Sequence, residues 1–170
     1  QERLLTPAQK EWSQAEEAGW EEILAALARR LEILLKKDKA SLGVLLSPQL
    51  SNEDLFVAKK FFEDTLGASQ IALLSPFPLG DEDNFLIKSD KNPNTRGAMT
   101  LGLSKVPFEE MVQSIEKGKI KGLYLFGQDV SKELLAKLEL VVFQGRHENR
   151  TTPFAHYVLP SASYAEKDGT

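Results

Sequence analysis

The 170-residue chain has no cysteine. That excludes disulfides, thiol nucleophiles, iron–sulfur ligation and cysteine-based zinc sites from this segment. Histidine is scarce as well: His147 and His156 are the only two, and their spacing matches no common metal motif, so no metal-ligating set is assigned. No apolar run approaches the roughly 18–20 residues of a membrane-spanning helix, so no direct membrane insertion is expected. Positive charge is in deficit, with 21 Lys and Arg against 25 Asp and Glu and a net charge of −4. A general nucleic-acid binder needs a basic face for phosphate contacts, so that class is set aside. Neither G-x-G-x-x-G nor a P-loop sequence is present. No serine sits in a G-x-S-x-G turn, which leaves pairings of His147 or His156 with a serine and an acid without their usual nucleophile geometry. Asn149-Arg-Thr151 matches a glycosylation sequon, a chance match in a cysteine-free chain.

What is present is an ordinary globular composition, 42% hydrophobic and 27% charged, long enough for one domain over residues 1–170. The ends, Gln-Glu-Arg-Leu-Leu and Lys167-Asp-Gly-Thr170, look like cuts from a larger protein. Gly122-Leu-Tyr-Leu-Phe126 is an uninterrupted apolar run that stops at Gly-Gln-Asp129, as a strand buried on both faces requires. A second such run, Leu140-Val-Val-Phe-Gln144, follows one short helical segment begun at Ser131. That spacing predicts a parallel crossover with Gly122–Phe126 as the central strand. Leu42–Ser47 and Gln70–Leu74 read as two further strands, joined by a helix that Ser51 and Asp54 cap and Gly67 ends. His156–Pro160 is expected as a fifth strand or edge segment. The expected fold class is therefore α/β, a Rossmann-like open, mainly parallel sheet of about five strands with helices on both faces.

Three other segments complete the reading. Gln1–Glu17, with Pro7 and Trp12, is expected as an extended arm. Trp20, Ile23, Leu24, Leu27, Leu31, Leu34 and Leu35 form the stripe of an amphipathic helix. Ser75–Lys105 carries Pro76, Pro78, Gly80, Pro93, Gly97 and Gly102 with the acidic run Asp81-Glu-Asp83, and is expected as a long solvated loop. The acids lack the calcium-loop spacing. Pro107 opens the next helix, with Phe108, Met111, Val112 and Ile115 inward.

Ligands of open parallel sheets bind beyond the carboxyl ends of the strands. Here that edge carries Ser47, Ser51 and Asn52 after the first strand, Gly127, Gln128 and Asp129 after the central one, and His147 after the fourth. These are the candidates should a phosphate or nucleotide bind. Ser51 and Ser131 are also explained as helix caps. No catalytic residue is assigned.

The C-terminal stretch His147-Glu-Asn-Arg-Thr-Thr-Pro-Phe-Ala-His-Tyr-Val-Leu-Pro-Ser-Ala-Ser-Tyr-Ala-Glu-Lys-Asp-Gly-Thr170 resembles the molybdopterin oxidoreductase superfamily. Its members carry T-E-T-A-x-x-A-D-V-V-L-P-A-A-x-x-x-E-x-x-G-T. Asn92-Pro-Asn-Thr-Arg-Gly-Ala98 and Ile120–Gln128 fall in the superfamily's usual order. Within it, the chain looks most like the branch formed by the large iron–sulfur subunits of proton-pumping NADH:quinone oxidoreductases (respiratory complex I). The resemblance implies a non-catalytic domain in the peripheral electron-transfer arm. It also implies iron–sulfur clusters elsewhere in the parent protein and no molybdopterin in this domain. The implied partners are the other domains of that subunit and the neighbouring subunits, on the cytoplasmic side of the inner membrane. The alternative it implies is a fragment of a formate-dehydrogenase-like enzyme supplying half of a pterin-nucleotide site. Enzymes of the superfamily offer Cys, selenocysteine or Ser to the metal and clasp two pterin nucleotides between two Rossmann-like domains. This chain lacks the cysteine, has only a short loop between Leu74 and Asn92 where the enzymes carry a domain, and has His156 where Asp is usual.

Overall fold

The computed structural model describes residues 2–11 and 14–169; Trp12 of the expected arm lies outside them. Five parallel strands form one continuous block of a seven-stranded sheet, reaching its edge at β4: β3 (Leu42–Leu46), β4 (Gln70–Leu73), β5 (Gly122–Phe126), β6 (Leu140–Gly145) and β7 (Tyr157–Pro160). Ahead of them in the chain come β1 (Ala8–Glu11) and β2 (Gln14–Glu17), an antiparallel hairpin whose β1 pairs with β7. The segment expected as an arm is thus part of the sheet, which runs β2-β1-β7-β6-β5-β3-β4. Its polar sequence suits a sheet margin, where alternation with the core is not required. β5 is the middle of the five parallel strands, as the sequence predicts.

Side chains leave the strands alternately to two cores, because strand side chains point to opposite faces in turn. On one face Leu42, Val44, Leu46, Tyr124, Leu140, Val142, Tyr157 and Leu159 meet α1 (Trp20–Lys37) and α2 (Asn52–Ala58). On the other Leu45, Leu123, Leu125, Val141, Phe143 and Val158 meet α4 (Phe108–Glu116) and α5 (Lys132–Leu135), α3 being Thr95–Thr100. Helices therefore cover both faces, and the continuous apolar runs of β3, β5 and β6 reflect burial on both sides.

α1 places Glu21 and Glu22 in its first turn and Lys36 and Lys37 in its last, each complementing the helix dipole. It buries Ile23, Leu27, Leu31 and Leu34, a narrower stripe than expected, since Trp20 and Leu24 are 45% and 48% exposed. Helical side chains lean toward the N-terminus, so that of Trp20 reaches past the helix start, and Leu24 lies on the flank of the stripe. α2 has the expected capping box between Ser51 and Asp54 and continues as a π-helical turn, Lys59–Thr65, which buries Phe62. Gly67 and Gly118, both at positive φ, close their helices as expected. Pro107 is the residue before α4 rather than its first residue. Within 75–105 the structure includes α3, which the scattered glycines and prolines hid.

Candidate functional site

Chain order reverses in the sheet at β3: β4 lies on one side of it and β5 on the other. Right-handed crossovers then send the connecting helices to opposite faces, and the loops after β3 and β5 diverge to leave a crevice. A cleft of about 1290 Å³ occupies this position, and Ser47, Ser51, Asn52, Gly127, Gln128, Asp129 and His147 all line it. The topology brings the seven sequence candidates to one place.

The floor is aromatic. The Phe62 ring stands edge-on to Tyr124, with centroids 4.8 Å apart, and to Phe126 at 6.0 Å, the offset geometry that aromatic pairs favour. The Tyr124 hydroxyl donates to Oε1 of Gln144 at 2.7 Å, and burial pushes the phenol well above its usual pKa. It stays a neutral hydrogen-bond donor.

The rim is polar, and its side chains are engaged within the chain. Ser47 Oγ accepts the Gln49 N–H at 3.2 Å, while Ser51 Oγ accepts the Asp54 N–H as a helix cap. Asn52 Oδ1 accepts from Nδ2 of Asn94 at 3.1 Å, and the same Nδ2 reaches the Leu50 carbonyl at 2.9 Å. Gln128 is buried and donates to the Leu74 carbonyl at 2.9 Å. Asp129 Oδ1 accepts the Arg150 N–H at 2.9 Å. Gly127 turns the chain at φ 70° and donates its N–H to the Gln144 carbonyl. His147 is exposed, its backbone bridged to Arg3.

Sequence reasoning missed three organising residues. Asn149, set aside as a chance sequon, is the hub of the loop after β6. Its Oδ1 accepts from Thr151 N–H, Thr152 N–H and Thr152 Oγ, all at 3.0–3.1 Å, and its Nδ2 donates to the Gln128 carbonyl at 3.1 Å. An Asn followed two residues on by paired threonines is turn chemistry, and that signal was available. Asn94 and Lys167 were missed because their partners are remote in sequence. Lys167 pairs with Asp54 at the start of α2, and Glu166 pairs with Arg3. The segment after β7 is thereby drawn along the mouth of the cleft, where Ser161, Tyr164 and Gly169 join the lining. The pKa of Glu166 is held at about 2 by the Ser163 N–H and the Arg3 guanidinium.

The histidines divide. His156 is not a ligand or base toward the cleft: its Nδ1 accepts the Val141 N–H at 3.0 Å, while its backbone N–H donates to the Val141 carbonyl. The carboxylates of Glu82 and Asp83 accept N–H groups of their own loop, and among the described residues no group of three His, Asp or Glu is placed to hold a metal ion. No described helix is long and apolar enough to cross a membrane.

Residues 80–170 match the family model of the molybdopterin oxidoreductases. The chain is 36% identical over 90 residues to the mitochondrial NADH-ubiquinone oxidoreductase 78 kDa subunit of Neurospora crassa, over 51% of this chain and 12% of the relative. It is 36% identical over 70 residues to a putative formate dehydrogenase of Bacillus subtilis, over 36% of this chain and 7% of the relative. A third match, also 36% identical over 70 residues, is the alpha subunit of an NADPH-Fe(3+) oxidoreductase of Geobacter sulfurreducens, over 36% of this chain and 8% of the relative. The chain thus spans about a tenth of the length of these relatives. With more than half of its residues inside the family match, the chain belongs to the molybdopterin oxidoreductase family.

Proposed function

We propose that the chain is a structural domain of the large iron–sulfur subunit of a proton-pumping NADH:quinone oxidoreductase. It would lie in the peripheral arm on the cytoplasmic side, against other domains of that subunit and against neighbouring subunits. The observation that carries this reading is the internal commitment of the cleft rim. Five of the seven positions that would face a nucleotide, Ser47, Ser51, Asn52, Gln128 and Asp129, already hold loops or caps of this domain.

The residues present do not fit a pterin–metal group. Its metal needs a soft or hydroxyl donor from the protein, and the chain has no cysteine. Serines 47 and 51, two of the hydroxyls that line the crevice, accept backbone N–H groups. A hydroxyl withdrawn from such a bond to serve a ligand leaves its former partner unsatisfied. No catalytic step is routed through this cleft, and iron–sulfur chemistry belongs to other parts of the parent protein.

The second reading, half of a pterin-nucleotide site in a formate-dehydrogenase-like enzyme, is favoured by the equal identity to the Bacillus relative and by the convergence of all seven candidates on one crevice. Purification of the tagged parent protein separates the two. The first reading expects co-purification with NADH-oxidising activity and no molybdenum. Stoichiometric molybdenum with formate oxidation overturns it.

A further inference from the structure

The segment after β7 runs along the cleft mouth without burying itself there. It leaves the sheet at Ser161, whose N–H donates to the Gly145 carbonyl at 3.0 Å. From there to Gly169 it is neither helix nor strand, and each residue is half-buried or exposed. Its one aromatic side chain, Tyr164, lines the mouth yet is 84% exposed. Within the segment the Ser163 N–H donates to the Glu166 carboxylate at 2.7 Å, and the Glu166 N–H to the Ser163 carbonyl at 3.1 Å. Its turn is thus made from its own residues.

Two ion pairs fasten this turn to the domain at separate places. Glu166 meets Arg3, whose backbone is bridged to His147 after β6. Lys167 meets Asp54 in the first turn of α2. The four side chains stay 31–47% exposed. An ion pair in such surroundings shifts an equilibrium by no more than about fivefold, and two independent pairs together by about 25-fold. Without a buried apolar side chain to add to them, the segment opens far more readily than the sheet beneath it.

We infer that residues 161–169 form a strap that shuts the cleft mouth reversibly, with Arg3–Glu166 and Lys167–Asp54 as its catches and ionic strength as its control. The floor stays built when the strap lifts: Phe62 stands edge-on to Tyr124 and Phe126, and Gln144 holds the Tyr124 hydroxyl. A molecule entering by this mouth competes with the strap and loses no more than that 25-fold factor of apparent affinity to it. The electrostatic screening length falls from about 10 Å at 0.1 M salt to about 3 Å at 1 M, so salt loosens both catches and leaves the apolar cores intact. Both readings of the parent protein contain this strap.

The test uses the full parent protein. Spin labels attached through p-acetylphenylalanine, independent of cysteine chemistry, replace the exposed Ala165 on the strap and the exposed Lys60 beyond α2, and double electron–electron resonance reads their separation. A second pair, at Lys60 and the exposed Glu116 on α4, reads the body of the domain. At about 0.1 M NaCl the 60–165 pair should show one dominant distance. At about 1 M a second, longer distance should grow about threefold or more in population. In Arg3→Ala with Lys167→Ala that longer distance should already be about threefold or more enriched at low salt and respond little to further salt. The 60–116 distance should stay constant throughout. A single 60–165 distance, unchanged by salt and by the double substitution, overturns the strap. So does an equal salt response in the double variant, which takes the catches out of it, or a 60–116 distance that shifts in step, which makes the change one of the whole domain.

Discussion

Nδ2 of Asn94 lies 3.1 Å from Oδ1 of Asn52 and donates to it, although 42 residues separate them. The contact ties the start of α3 to the first residue of α2, and Gly97 on α3 makes room for it. A Cβ built at Gly97 would collide with Oδ1 of both asparagines. We expect Asn94→Ala to lower unfolding free energy by about 1–2 kcal/mol, the usual range for a part-buried side-chain hydrogen bond. Gly97→Ala should lose about 1–3 kcal/mol through forced repacking. Denaturant titration checks both, and a neutral Gly97→Ala would show that the two helices are not latched there.

Asn149 should matter more than its place in a loop suggests. Removing its amide leaves the Thr151 and Thr152 N–H groups without their acceptor and the Gln128 carbonyl with the Thr151 hydroxyl as its remaining side-chain donor. Asn149→Ala is expected to lose about 2–4 kcal/mol, and the adjacent, exposed Arg150→Ala less than about 0.5 kcal/mol. Equal effects from the two substitutions, read by thermal denaturation, would remove Asn149 from its organising role.

How much of this was legible in the sequence depends on the range of the interactions. The strands β3, β5 and β6, the capping box of Ser51 and Asp54, and the glycine stops at Gly67 and Gly118 are local signals, and each holds in the structure. The carboxyl edge followed from strand order alone, which is why seven scattered candidates meet in one cleft. The hairpin of β1 and β2 did not show itself, because its strands are four residues each and their sequences, Ala8–Glu11 and Gln14–Glu17, carry no apolar alternation to read. The rim's internal bonds were hidden for another reason. Asn94 to Leu50, Gln128 to Leu74 and Lys167 to Asp54 span 44, 54 and 113 residues, so no local pattern encodes them.

Stability should fall as pH drops below neutrality, with His156 as the cause. Burial, aided by the Arg30 charge, lowers its pKa beneath the ordinary 6.5. The unfolded chain then takes up the proton first, so the folded state loses ground as pH falls through 6.5 toward the lowered value, and levels off below it. Protonation also removes Nδ1 as the acceptor for the Val141 N–H. The urea midpoint should be lower at about pH 5.5 than at about pH 7.5 in the native chain and nearly equal at the two in His156→Asn. The same drop in both proteins would assign the effect to other groups.

The Asp83 carboxylate predicts a protected tip on the exposed loop between β4 and α3. Three N–H groups converge on one carboxylate oxygen, and the amides of Ile87, Phe85 and Leu86 together hold that carboxyl below its usual pKa. Near neutral pH, hydrogen exchange at these amides should be slower than in the Asp83→Ala protein, yet faster than in Gly122–Phe126, which lies within the sheet. Protection unchanged by Asp83→Ala would mean that the tip is not held by this carboxylate.

The carboxyl edge of the sheet is engaged in holding its own domain together. Titration with GDP, followed residue by residue in NMR spectra, tests it most directly. Helix starts facing the cleft offer N–H groups to any phosphate, so weak binding is expected, with a dissociation constant of roughly millimolar order. Asn52→Ala and Asp129→Ala should leave that value nearly unchanged while lowering stability. Micromolar binding mapped to Ser47–Asn52 and Gly127–Asp129, and abolished by either substitution in a chain that remains folded, would contradict the account.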